Sequence, residues 1–121
     1  MKTIAGVLCA LSLAWPACAA DMTPVAQKEI TQLLERIETS NCSFNRNGSW
    51  YAAPDARRHL QRKLDYMVER KMLGSAEEFI ANAASSSSMS GKPYLIRCGS
   101  SEATPSADWL RAELRRIRAP S

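Results

Sequence analysis

Cys42 to Tyr51, CSFNRNGSWY, is the stretch whose reading decides the fold. Asn47-Gly48 at its centre is a strong hairpin signal, because a type I′ turn needs positive φ at both central residues. That turn sets Arg46 opposite Ser49, Asn45 opposite Trp50 and Phe44 opposite Tyr51. Side chains alternate along a strand, so Cys42 shares the face of Phe44. A second strand candidate, Tyr94 to Cys98, puts Tyr94, Ile96 and Cys98 on one face. Laid beside the Cys42 strand, it brings the two sulfurs together.

Helices are expected on both sides of the hairpin. Thr23-Pro24 supplies an N-cap and a first-turn proline, and Ile30, Leu33, Leu34 and Ile37 form a stripe over a helix from about 24 to 39. Pro54-Asp55 opens a second helix, 54 to 72, with Ala56, Leu60, Leu64, Met67, Val68 and Met72 on its apolar side and Gly74 at its end. Ser75-Ala76-Glu77-Glu78 matches a capping box that starts a third helix toward Ala84. After the serines at 85 to 88 and 90, Gly91-Lys92-Pro93 reads as exit and loop. Thr104-Pro105 repeats the entry signal, and Trp109, Leu110, Leu114 and Ile117 line the last helix. The fold class is therefore α+β: about four helices on a small, largely antiparallel sheet with one disulfide.

Residues 1–20 read as a cleaved secretory signal, leaving 21–121 as one small domain. Lys2 is the positive start, Ile4 to Trp15 the apolar run, and Ala17 to Ala20 the small residues at the cleavage site. Twelve residues span about 18 Å as a helix, short of the ~30 Å hydrocarbon core, so the segment is no membrane anchor. Acylation at Cys18 is disfavoured, because Trp15-Pro16-Ala17 lacks the leucine such a site normally carries. Nothing later is apolar enough to span a bilayer, so a periplasmic or secreted location is expected.

Cleavage leaves 15 of the 16 basic residues against 12 acidic ones, a net charge of +3. It also leaves two cysteines. In an oxidising compartment, Cys42 and Cys98 are read first as a disulfide, which stabilises by about 4 kcal/mol for a loop of this length. There is no CxxC, and His59 is the sole histidine, so neither a metal nor another cofactor is expected.

Four motifs in order, FNRNG (44–48), HLQRKL (59–64), SAEEFI (75–80) and SSSSMSGKPY (85–94), carry a resemblance. The chain resembles the YfeK-like proteins, small exported bacterial proteins forming a domain of unknown function. The likeness runs from about Glu29 to Trp109. It implies a Gram-negative periplasmic setting and agrees with the fold; it implies no activity.

His59 is the side chain expected to titrate near neutrality. An Asp55–His59 pair at i, i+4 beside a hydroxyl from Ser85 to Ser90 supplies the residue types of a small hydrolase. There is neither a GxSxG elbow nor an SxxK pair to support it. The preferred reading is a non-catalytic binding or interaction module. Hydroxyls of Ser88 and Ser90, amides around Gly91 and the Lys92 ammonium form an anion pocket in this reading, with Arg46 and Asn47 at the hairpin tip and His59 and Lys63 beside it. GKP lacks the earlier glycine and the following Ser or Thr of a phosphate loop. Residues 54 to 72 carry six cations against three anions, but no nucleic-acid motif accompanies them. An anionic envelope component or a periplasmic protein is the expected partner. Trp50 or Tyr51 is expected to cover core, since a hairpin alone does not persist.

Overall fold

The computed structural model describes residues 21–120; the expected secretory segment, 1–20, lies outside them. In chain order the elements are α1 (Pro24–Thr39), β1 (Ser43–Arg46), β2 (Ser49–Ala52), α2 (Ala53–Glu69), α3 (Ala76–Asn82), β3 (Leu95–Arg97), β4 (Thr104–Pro105) and α4 (Ser106–Arg118). The four strands form one antiparallel sheet in the order β2-β1-β3-β4. The fold is α+β, with four helices and one disulfide.

The hairpin forms in the expected register, Phe44 opposite Tyr51 and Arg46 opposite Ser49. Asn47 and Gly48 have φ of 54° and 86°, the positive values the turn demands. On β1, Phe44 then pairs with Ile96 of β3, and Cys42 is bonded to Cys98. The staple therefore ties the start of β1 to the end of β3.

α1 is the central helix, packing against α2, α3 and α4, while α2 and α4 also reach the sheet. Thr23 caps its N-terminus through Oγ1, which accepts from the Ala26 amide at 3.0 Å. Its stripe, Ile30, Leu33, Leu34 and Ile37, is wholly buried and meets Phe79, Ile80, Ile96 and Leu110 in one core. Each such side chain contributes about 1.5–3 kcal/mol by leaving water. Trp109 closes the core edge, its ring at 84° to Phe44. Of the hairpin aromatics, Tyr51 is half-buried, and Trp50 lies exposed under the Arg97 guanidinium.

Four local expectations need correction. α2 ends at Glu69, not 72. Lys71 adopts φ 56°, the Lys71 amide donates to Val68 O and the Met72 amide to Met67 O. This is a Schellman close achieved without glycine; Met72 beyond it and Val68 on the last turn are both exposed, off the apolar stripe. At α3, Ser75 Oγ accepts from the Glu78 amide, but Glu78 Oε1 reaches past Ser75 to the Gly74 amide. The box closes one residue early. Thr104-Pro105 is a strand pair rather than a helix cap, because its residues complete the ladder against Leu95 and Ile96. The next helix opens at Ser106 with no side-chain cap. The Tyr94–Cys98 strand is confined to Leu95–Arg97, with Tyr94 still facing inward.

Among the described residues, no helix is long and apolar enough to cross a membrane.

Candidate functional site

Three elements converge on Tyr94. Early in α2, His59 lies one turn before Lys63, so both side chains leave the same helix face. β3 enters at Tyr94, which the sheet presents to that face. His59 Nε2 and Tyr94 Oη are 3.0 Å apart, and Lys63 Nζ donates to Tyr94 Oη at 3.0 Å and to Ser86 O at 3.1 Å. Lysine only donates, so the Tyr94 proton is directed to His59 Nε2; that leaves the histidine proton on Nδ1. The chain of bonds runs from Lys63 through Tyr94 to His59.

The electrostatics agree. His59 is pushed down to about 4, first by burial and then by the charges of Arg46, Lys63 and Arg62. It is a neutral acceptor at pH 7. Burial, then Arg46, also lowers Lys63, and burial raises Tyr94. Arg46, at the end of β1, thus acts on all three groups while its guanidinium sits 4.5 Å from the Tyr51 ring centre. Two like charges share a partly desolvated corner and, among the described residues, no carboxylate is bonded to either.

The serine segment is folded back on itself. Ser86 pairs with Pro93, the Ser87 amide donates to Lys92 O and the Gly91 amide to Ser87 O. Ser87, the buried serine of the run, accepts from the Met89 and Ser90 amides and from Asn47 Nδ2. Ser90 Oγ donates to Asn47 Oδ1 at 2.5 Å and accepts from the Lys92 amide. Asn47 therefore clips the hairpin tip to the serine loop. The amides around Gly91, expected to face an anion, are taken by this internal network, as the turn's own backbone demands. The Ser88 hydroxyl and the Lys92 ammonium keep no protein partner among the described residues.

Of the residues expected at a site, Arg46, His59 and Lys63 are thus one cluster. Asn47 and Ser90 belong to the clip; Ser88 lines an open groove with His59, Arg62, Lys63 and Tyr66. The Asp55–His59 pair does not form. Asp55 is ion-paired with Arg58, a full charge three residues on, which outcompetes a neutral ring. Among the described residues, no hydrogen bond joins His59 to a serine, so the hydrolase arrangement has no geometric support. Tyr94 and Ser87 were not foreseen. Their signal was faint: a tyrosine on the inward face of a strand, and the one serine whose spacing lets it cap two amides.

The fold and this corner define a class, a small disulfide-stapled α+β domain with a cluster of Arg46, His59, Lys63 and Tyr94 between its hairpin and α2. The chain belongs to a family of unknown function, DUF5329, matched over residues 24–118. It is 36% identical over 95 residues to a Salmonella typhimurium protein named Uncharacterized protein YfeK, covering 78% of this chain and 77% of that one. No solved structure matches it significantly.

Proposed function

We propose that this is an exported protein of the bacterial envelope, acting as a non-catalytic binding module for anionic groups. Its working surface is Arg46, His59 and Lys63 with the flanking Arg62, Ser88 and Lys92. One observation carries the reading. Among the described residues, the ion pairs engage Arg36, Arg57, Arg58, Arg70, Lys71, Arg111, Arg116 and Arg118; they leave out Arg46, Arg62, Lys63, Lys92 and Arg97 and, on α1 and α4, Lys28 and Arg115. What sets Arg46 and Lys63 apart is that the two repel each other in a partly buried corner, which favours an outside anion. Export is supported by residues 1–20 and by the disulfide, which suits an oxidising compartment.

The test uses isotope-labelled chain from Asp21 onward, titrated with cell-wall fragments bearing free carboxylates and with phosphatidylglycerol vesicles. Shifts should centre on Arg46, His59 and Lys63, shrink in Arg62→Ala/Lys92→Ala, and fade as salt rises. Failure of both probes to shift these residues would sink the reading. Cell fractionation checks the address: the chain should appear in the periplasm shortened by residues 1–20.

A further inference from the structure

Beneath this surface, between the hairpin, α2 and the start of α4, lies a small cavity. Its floor is apolar, built from Ile37, Phe44, Leu60 and Leu110. Its polar lining is Asn45, Arg46, Tyr51, Asp55, His59 and Tyr94, joined by Ser106. The volume, counted at water centres, is about 30 Å³. That is room for about two waters or for the end of a short hydrocarbon chain.

Ser106 sets this cavity apart. It is 3% exposed, and its hydroxyl is buried with no hydrogen-bond partner among the described residues. Buried hydroxyls are almost always bonded, so one left open beside a cavity marks a place for a ligand atom. Ser106 is also the first residue of α4, a helix whose N-cap, Pro105, has no side chain to offer its amides. The Ser106 amide donates to Tyr94 O at 2.9 Å, and the positive end of the helix lies beside the same hydroxyl. Arg46, without an ion pair among the described residues, also lines the cavity, its guanidinium over the Tyr51 ring. The single carboxylate in the lining, Asp55, is already matched to Arg58.

We propose that the cavity binds a short aliphatic carboxylate, its carboxylate held between the Ser106 hydroxyl and the Arg46 guanidinium and its hydrocarbon end against Phe44, Leu60 and Leu110. This deepens the anion-binding reading and rests on it, sharing Arg46 and His59 with that surface. The same chemistry is offered by a free short-chain acid and by the C-terminal residue of a peptide ending in a small side chain.

The experiment is an amide-shift titration of the chain from Asp21 onward with acetate, propionate, butyrate, butyramide and N-acetylalanine. Shifts at Ser106, Ala107 and Leu110 are expected, with affinity rising about threefold from acetate to propionate, levelling off at butyrate as the small cavity fills, and butyramide giving no saturable shift. Ser106→Ala, which keeps the backbone and the helix, should weaken butyrate about fivefold or more. N-acetylalanine matching butyrate assigns the site to peptide termini, whereas a clear preference for butyrate assigns it to free acids. Equal binding of butyrate and butyramide, unchanged affinity in Ser106→Ala, or no shift at Ser106 in the wild type would each overturn the proposal. The two readings fail separately. Ser106→Ala should retain cell-wall-fragment binding, and Arg62→Ala/Lys92→Ala should retain butyrate.

Discussion

The two ends of α4 treat charge in opposite ways. At its C-terminus, Arg118 forms a clamp, bonding both oxygens of Glu29 at 2.8 Å and both of Glu77 at 2.5 and 3.1 Å. Hydrogen bonding to Arg118 lowers both carboxyls, and the guanidinium is raised in return. Nearby, Glu113 holds Arg36 and Arg116 together. At the N-terminal end, Arg46 and Lys63 face a neutral His59 and, among the described residues, no carboxylate is bonded to either cation. One end is electrostatically closed and ties α1, α3 and α4 together. The other keeps repulsion that an incoming anion would relieve. A protein of net positive charge had enough carboxylates to pair this corner, yet they lie elsewhere.

The largest expected effect blurs the contrast. Cys42→Ala/Cys98→Ala removes the tie between β1, which carries Arg46, and β3, which Tyr94 immediately precedes. Urea denaturation should show a loss of about 2–5 kcal/mol. Disorder should spread from the open corner, read as faster amide exchange at Arg46 and Ile96 than in α1.

A second set of measurements sharpens the contrast through pH. His59 is lowered in the folded state, so between about 6.5 and 4 the unfolded chain binds the extra proton. Stability from this group is therefore complete above about 6.5 and is lost as pH falls through 4, when Nε2 can no longer accept from Tyr94. The loss is on the order of 1 kcal/mol after screening. The urea midpoint should drop over that window in wild type and drop less in His59→Gln. Indifference of the slope to this substitution would remove His59 from the account. NMR titration should place the ring near 4, and Lys63→Met or Arg46→Gln should move it upward, since each deletes a repelling charge.

The smallest effect tests the closed end. Arg118→Ala should cost about 0.5–1 kcal/mol, because the guanidinium is substantially exposed and the pairs are screened. It should leave the His59 titration unmoved. A shift there would mean that the two ends are coupled.

Much of this fold is readable in the chain because its signals are local. The Asn47-Gly48 turn, the 30-33-34-37 stripe and the Thr23-Pro24 cap each depend on residues a few positions apart. The cysteine pair, though distant, becomes readable once the faces of β1 and β3 are counted. What escaped is non-local or depends on competition. Lys71 closes α2 in a conformation that glycine usually supplies, so Gly74 drew the boundary too late. Asp55 had two candidates on one helix face, and the charged one won. Tyr94 meets His59 and Lys63 only because β3 docks beside β1, a contact across more than thirty residues that no spacing rule reveals. Ser106 stays hidden for the same reason: a helix-start serine is ordinary until its surroundings leave it without a partner.

The Cys42–Cys98 bond also changes the topology of the molecule as a polymer. With a separation of 56 residues, it closes a ring that contains the hairpin, α2, α3 and the serine loop, and leaves α1 and α4 as tails. A protease that nicks the ring anywhere, for instance at exposed Met89, opens the circle without releasing a fragment. The cut protein would migrate as one species until its thiols are reduced. That arrangement keeps the strands that carry the Arg46–His59–Lys63 corner tied together across a broken backbone.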